Sequence, residues 1–145
     1  MLEEIRCCAG GAVFHDGKVF LIREADGAWA MPKGVIRDHM PSNRVARWRV
    51  EDEAGIQMPV ILGVAGYTFY RLYSKSRDRE VMNRIQWFAM KADSAEFHIN
   101  REQGFLDGGW FDTDEAEEML TRPMDAEILR KAALILRTAQ EKAGD

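Results

Sequence analysis

The chain has 145 residues, 46% of them hydrophobic and 30% charged, which suits one domain with a proper core and excludes disorder as the default. A formal net charge of -4 argues against a generic nucleic-acid binder, and sequence-specific nucleic acid is not an expected partner. No run approaches the roughly 18 apolar residues that span a bilayer, and the opening Met-Leu-Glu-Glu is not a signal peptide, so no membrane role is expected.

Ile5 to Phe14 reads as a strand, with Gly10-Gly11 as its weak point. Cys7 and Cys8 are neighbours within it and point to opposite faces, so a bridge between them would be strained. Two reduced thiols and a cytoplasmic location are expected. His15-Asp16-Gly17 is a turn, Lys18 to Arg23 a second strand, and the two should form a hairpin. Glu24 to Ala28 is a loop, Trp29-Ala30-Met31 a short apolar segment ended by Pro32-Lys33-Gly34, and Val35 to Pro41 a loop. Ser42 suits the N-cap of a helix over 43–54, with Gly55 at its C-terminal stop and Ala46, Val50 and Ala54 as its buried stripe.

Gln57 to Tyr73 and Glu80 to Lys91 are strand-like around the polar turn Ser74 to Arg79, a long hairpin. Ala92 to Gly109 is mostly connection, and Trp110-Phe111 a short strand. Asp112 with Glu115 forms a capping-box pattern opening a helix to Leu120. Pro123 starts a last helix whose apolar side is Met124, Ile128, Ala132, Ile135 and Ala139, and Glu141 to Asp145 should be a frayed end. The sum is a single domain over 1–145, a mixed sheet with helices packed on it, α/β or α+β.

From Gly34 onward the spacing resembles the box of the Nudix hydrolases, G-x5-E-x7-R-E-U-x-E-E-x-G-U, where U is a bulky aliphatic. Val50, Asp52, Glu53, Gly55 and Ile56 fall where the box wants U, E, E, G and U. Met40, Trp48 and Arg49 stand in place of the first Glu, the Arg and the following Glu. Trp29-Ala30-Met31-Pro32-Lys33-Gly34 resembles the W-x-x-P-K-G lead-in of the branch that cleaves dinucleoside polyphosphates and diphosphoinositol polyphosphates. Gly10 to Val13 and Gly109 to Phe111 resemble the family's first and last strands.

The resemblance implies an α/β/α sandwich with helices on both faces of a mixed sheet. It also implies hydrolysis of nucleoside-diphosphate-linked or other pyrophosphate compounds with Mg²⁺ or Mn²⁺, which neutralises phosphate charge while water attacks phosphorus. The residues it assigns are Asp52 and Glu53 as catalytic groups and Asp52, Glu53 and Glu102 as metal ligands. From the residues themselves, Lys33, Arg37 and Arg49 cluster around the box and suit phosphate oxygens, so they are the expected substrate contacts. Asp38, His39 and Glu96 are further candidates for a replacement ligand, whereas His15 and His98 show no ligand spacing.

Helical geometry bears on the chemistry. At about 100° per residue, positions 49, 52 and 53 share one sector. Arg49 there leaves one net negative charge where three carboxylates would carry three, and it is spaced to pair with both acids. Glu51 lies on the other side and cannot substitute. Mg²⁺ affinity is therefore expected to fall, and metal-dependent cleavage with it.

Trp48 lies opposite the buried stripe; it either packs against the loop carrying Met40 or offers a surface for a partner or a base. Two readings of the whole remain beside the weakened hydrolase: a catalytically silent sensor of a nucleotide or polyphosphate, and an interaction module. For the latter, a homodimer through the long hairpin or the first strands is the expected form.

Overall fold

The computed structural model describes residues 4–144; Met1 to Glu3, where the chain's opening was read, and Asp145 lie outside the described residues. Strand β1 (Ile5–His15) turns at Asp16-Gly17 into β2 (Lys18–Arg23). The hairpin holds only next to the turn, through Phe14↔Val19 and His15↔Lys18. Then the strands part. β2 pairs along its whole length with β7 (Asp107–Asp112) and at its end with the two-residue β3 (Trp29–Ala30). β1 instead runs parallel to β6 (Arg79–Lys91) and antiparallel to β4 (Lys33–Val35). β6 forms the long hairpin with β5 (Val60–Ser74), which is the end of the path β3-β2-β1-β6-β5.

The expected fold is therefore present: a mixed, seven-stranded sheet with helices on both faces. On one face lies α1 (Ser42–Ala54), whose Val45, Ala46 and Val50 pack with Ala9 and Val13 of β1. On the other lie α2 (Thr113–Met119) and α3 (Pro123–Ala143), whose Ile128, Leu129 and Ala132 pack with Cys8, Ala12 and Trp87. Alternating β1 side chains serve the two layers, which is why Cys7 and Cys8 point apart; both are free, Cys7 exposed and Cys8 buried. No helix among the described residues is long and apolar enough to cross a membrane.

Several local expectations are corrected. Lys33 and Gly34, read as the end of the short apolar segment, and Val35, read as loop, form strand β4, recruited by β1 through tertiary pairing that no local pattern reveals. β7 is longer than Trp110-Phe111 because Gly108 and Gly109 pair with Ile22 and Leu21, and glycine masks strand propensity. Ser42 is the first helical residue, and Pro41 precedes it without a side-chain cap bond. Asp112 takes the N-cap position of α2, yet its carboxylate makes no cap bond.

α3 continues to Ala143, so residues 141–143 are not frayed. Its buried face is Asp125, Ile128, Leu129, Ala132 and Leu136, turned about one residue from the expected one; Met124 is exposed. An acid in the first turn of a helix ordinarily faces water, which hides Asp125 from a pattern reading.

Candidate active site

α1 carries the site and is held from both ends. At its start, Val45 N–H bonds Pro41 O at 3.1 Å. At its end, Gly55 adopts φ 68° and its N–H bonds Glu51 O. A Cβ on Gly55 would lie 2.6 Å from the backbone N and O of His98, so both φ and space require glycine. His98 N–H and Asn100 N–H in turn donate to the carbonyls of Ala54 and Glu53. The segment before β7 is thereby sewn to the acidic end of α1.

Glu53 sits next to the apolar stripe of α1, about 60° from Val50 around the helix. It is 4% exposed, and its Oε1 accepts the Lys33 N–H of β4 at 3.3 Å. Burial pushes its carboxyl from 4.5 to about 8, against the opposing pull of Lys33 and Arg49. At neutral pH Glu53 is thus largely a protonated acid. Asp52 lies on the outer side, half-buried, with its carboxylate bonded by Gln103. Asn100 donates to Asp52 O at 3.2 Å. Glu102 stands in the short 3-10 turn Arg101–Gln103 beside them, exposed to solvent.

Arg49 does not pair with the acids. Its guanidinium donates to Val35 O at 3.2 Å and lies 4.7 Å from the centroid of the Trp48 ring. Helical side chains lean toward the N-terminus, so Arg49 tilts away from Asp52 and Glu53 and onto β4. Its Nε is buried without a hydrogen-bond partner. Gly34 makes the room: a Cβ there would be 2.1 Å from Arg49 Nε. Trp48 is 53% exposed and, with Met40, Arg37 and Arg44, lines a groove of about 390 Å³ between the 35–41 loop and α1. Trp48 and Met40 thus line one groove, and half of the indole faces solvent.

Lys33 has turned inward. Its Nζ bonds Glu24 Oε2 at 2.7 Å, and Glu24 Oε1 accepts from Arg122 at 3.2 Å. One carboxylate therefore bridges two cations, and any phosphate contact by Lys33 requires that pair to open. Arg122 also lies 4.5 Å over the Tyr70 ring. Asp125 completes the cluster, 1% exposed and with neither carboxylate oxygen hydrogen-bonded; burial raises its pKa and Lys33 and Arg122 oppose that. Glu24, Arg122 and Asp125 had no local signal, because their partners lie up to 98 residues away.

The remaining candidates lie apart. Asp38 and His39 are exposed in the 35–41 loop, both at φ 55°. Glu96 pairs with His98 at 3.3 Å on the surface, and His15 Nδ1 is 2.8 Å from Ala92 O. Among the described residues no three His, Cys, Asp or Glu side chains are grouped to hold a metal ion. Mg²⁺ wants several hard, charged oxygen ligands. Here one carboxyl is buried, one is engaged by Gln103, and an arginine stands at the third position. As it stands the donor set is short of charged oxygens for Mg²⁺.

Comparison with known structures places this geometry. A dihydroneopterin triphosphate pyrophosphohydrolase of E. coli superposes with a TM-score of 0.72 at 12% identity, over 91% of this chain and 99% of its own. The MutT protein from Methanosarcina mazei Go1 gives 0.67 at 16%, over 98% of each chain. An Ap4A hydrolase of C. elegans gives 0.64 at 14%, over 92% of this chain and 98% of its own. At such identities the likeness establishes the fold. The sequence itself matches the NUDIX domain family over residues 8–132, and with the box helix, its glycine stop and the strand order in place, the chain belongs to the Nudix family.

Proposed function

We propose that this Nudix protein binds pyrophosphate-containing compounds, nucleoside-diphosphate-linked ones among them, and that its Mg²⁺-dependent cleavage of them is weak. Arg49 carries this reading. It turns a metal-binding sector into one with a fixed cation, aimed at the loop side of the helix. Arg37 and Arg49 are the proposed phosphate contacts, since a guanidinium matches phosphate oxygens through its planar fork. Asp52, Glu53 and Glu102 would be the residual acids for any cation, with Glu53 having to lose its proton first. The test is calorimetry with ADP-ribose and Ap4A, with and without Mg²⁺, alongside phosphate release. Binding with turnover far below about 1 s⁻¹ is expected. Ordinary enzymatic turnover, or no binding of either compound, would sink the proposal.

Self-association is a second part of the reading. Tyr67, Phe69 and Tyr73 alternate along β5 and are 45%, 49% and 55% exposed. Register places Ile5, 57% exposed, on the same face through Met82 and Arg71. A two-fold packing of this sheet face against the same face of a second copy would bury the same patch on both. Sedimentation equilibrium with Phe69→Glu as the variant checks it; a wild type that stays monomeric at about 100 μM, a concentration covering weak dimers of some −5 to −6 kcal/mol, removes it. Two free thiols support placing the protein in the cytoplasm.

A further inference from the structure

We infer that, on the phosphate-binding reading above, the groove between the 35–41 loop and the first half of α1 is a cation-independent site for a nucleoside monophosphate. The groove measures about 390 Å³, within the roughly 300–1,000 Å³ of small-molecule sites. It is chemically two-sided. Arg37, Arg44 and Arg49 face a single acid, Asp38, so the charge it complements is anionic. Trp48 and Met40, 53% and 41% exposed, supply an aromatic face and a polarisable thioether, which suit a planar ring.

Inorganic phosphate alone would leave that apolar half unused, and an uncharged ring would leave the cationic side of the groove, Arg37 and Arg44 above all, without an anion. A ring bearing one phosphate uses both halves. The wall of the groove is specially shaped as well. Asp38 and His39 both take φ 55°, a left-handed conformation costly for residues with a Cβ, and this bend sets Arg37 and Met40 into the same groove. Arg49 is held at its floor, its guanidinium donating to Val35 O, packed over the bare Gly34 and lying over the Trp48 ring. The three residues that depart from the Nudix box, Met40, Trp48 and Arg49, are thus together in one cavity and lend it both properties.

The test is calorimetry on the full chain in EDTA with AMP, GMP, CMP and UMP, against inorganic phosphate and adenosine. At least one monophosphate should bind roughly ten-fold or more tighter than phosphate or adenosine. Trp48→Ala should cut that affinity about ten-fold, the usual contribution of a stacked base, and leave phosphate binding unchanged. Arg37→Ala with Arg44→Ala should weaken monophosphate and phosphate alike. All of these positions but Arg49 are exposed, and circular dichroism checks that each variant is folded. No monophosphate binding in EDTA, or binding untouched by Trp48→Ala and by the double arginine change, overturns the inference. ADP-ribose binding with Mg²⁺ in that case would leave the pyrophosphate reading standing, whereas loss of both would remove the two together.

Discussion

Glu53→Gln should make the protein more stable at alkaline pH and flatten its pH dependence. The Glu53 carboxyl is 4% exposed, accepts one N–H at 3.3 Å, and titrates at about 8 rather than 4.5. Between those two values the folded protein holds a proton that the unfolded chain has released. The stability from the neutral acid is therefore full below pH 4.5, and is lost progressively as pH rises toward 8. Each pH unit in that window is worth about 1.4 kcal/mol, so the whole window amounts to roughly 4–5 kcal/mol.

Gln keeps the acceptor for Lys33 N–H and has no proton to lose. Urea unfolding from pH 5 to 9 should show wild type falling relative to the variant by about 1.4 kcal/mol per unit, then levelling above pH 8. Asp125 also titrates high and Lys33 is shifted upward, but both are present in the two proteins and drop out of the difference. Parallel profiles would refute the burial of an ionisable Glu53.

Arg49→Glu combined with Trp48→Arg restores two box residues and should produce measurable Mn²⁺ binding by calorimetry where wild type shows little; no gain would mean that Arg49 is not what weakens the site. Glu24→Gln leaves Lys33 and Arg122 without their shared carboxylate and should destabilise by about 3–5 kcal/mol in urea melts. A loss below about 1 kcal/mol would show the cluster to be solvated. Gly55→Ala forces a Cβ into φ 68° and to within 2.6 Å of the His98 backbone, and should cost about 2–3 kcal/mol in the same assay while detaching the 98–103 segment from Asp52. Unchanged stability would refute the close approach.

Spacing alone located the box helix, its Ala46–Val50–Ala54 stripe and the glycine stop, because helical period and left-handed φ are local properties written at fixed offsets. Strand-forming composition on either side of a polar turn located the long β5–β6 hairpin, and the two-layer mixed sheet followed from the order of elements. The three departures from the Nudix pattern, Met40, Trp48 and Arg49, were equally plain. Their consequence was not. The sequence put Arg49 at salt-bridge spacing from Asp52 and Glu53, yet only the packed β4 strand supplies the Val35 carbonyl and the bare Gly34 surface that draw it away. Spacing could assign Glu53 a carboxylate's role, but only burial, against the opposing pull of Lys33 and Arg49, raised its pKa. Lys33 seemed free for phosphate until Glu24, Arg122 and Asp125 closed around it, from segments far apart in the chain. Direction, burial and charge state depend on which elements meet in space, and no window of neighbouring residues contains that information.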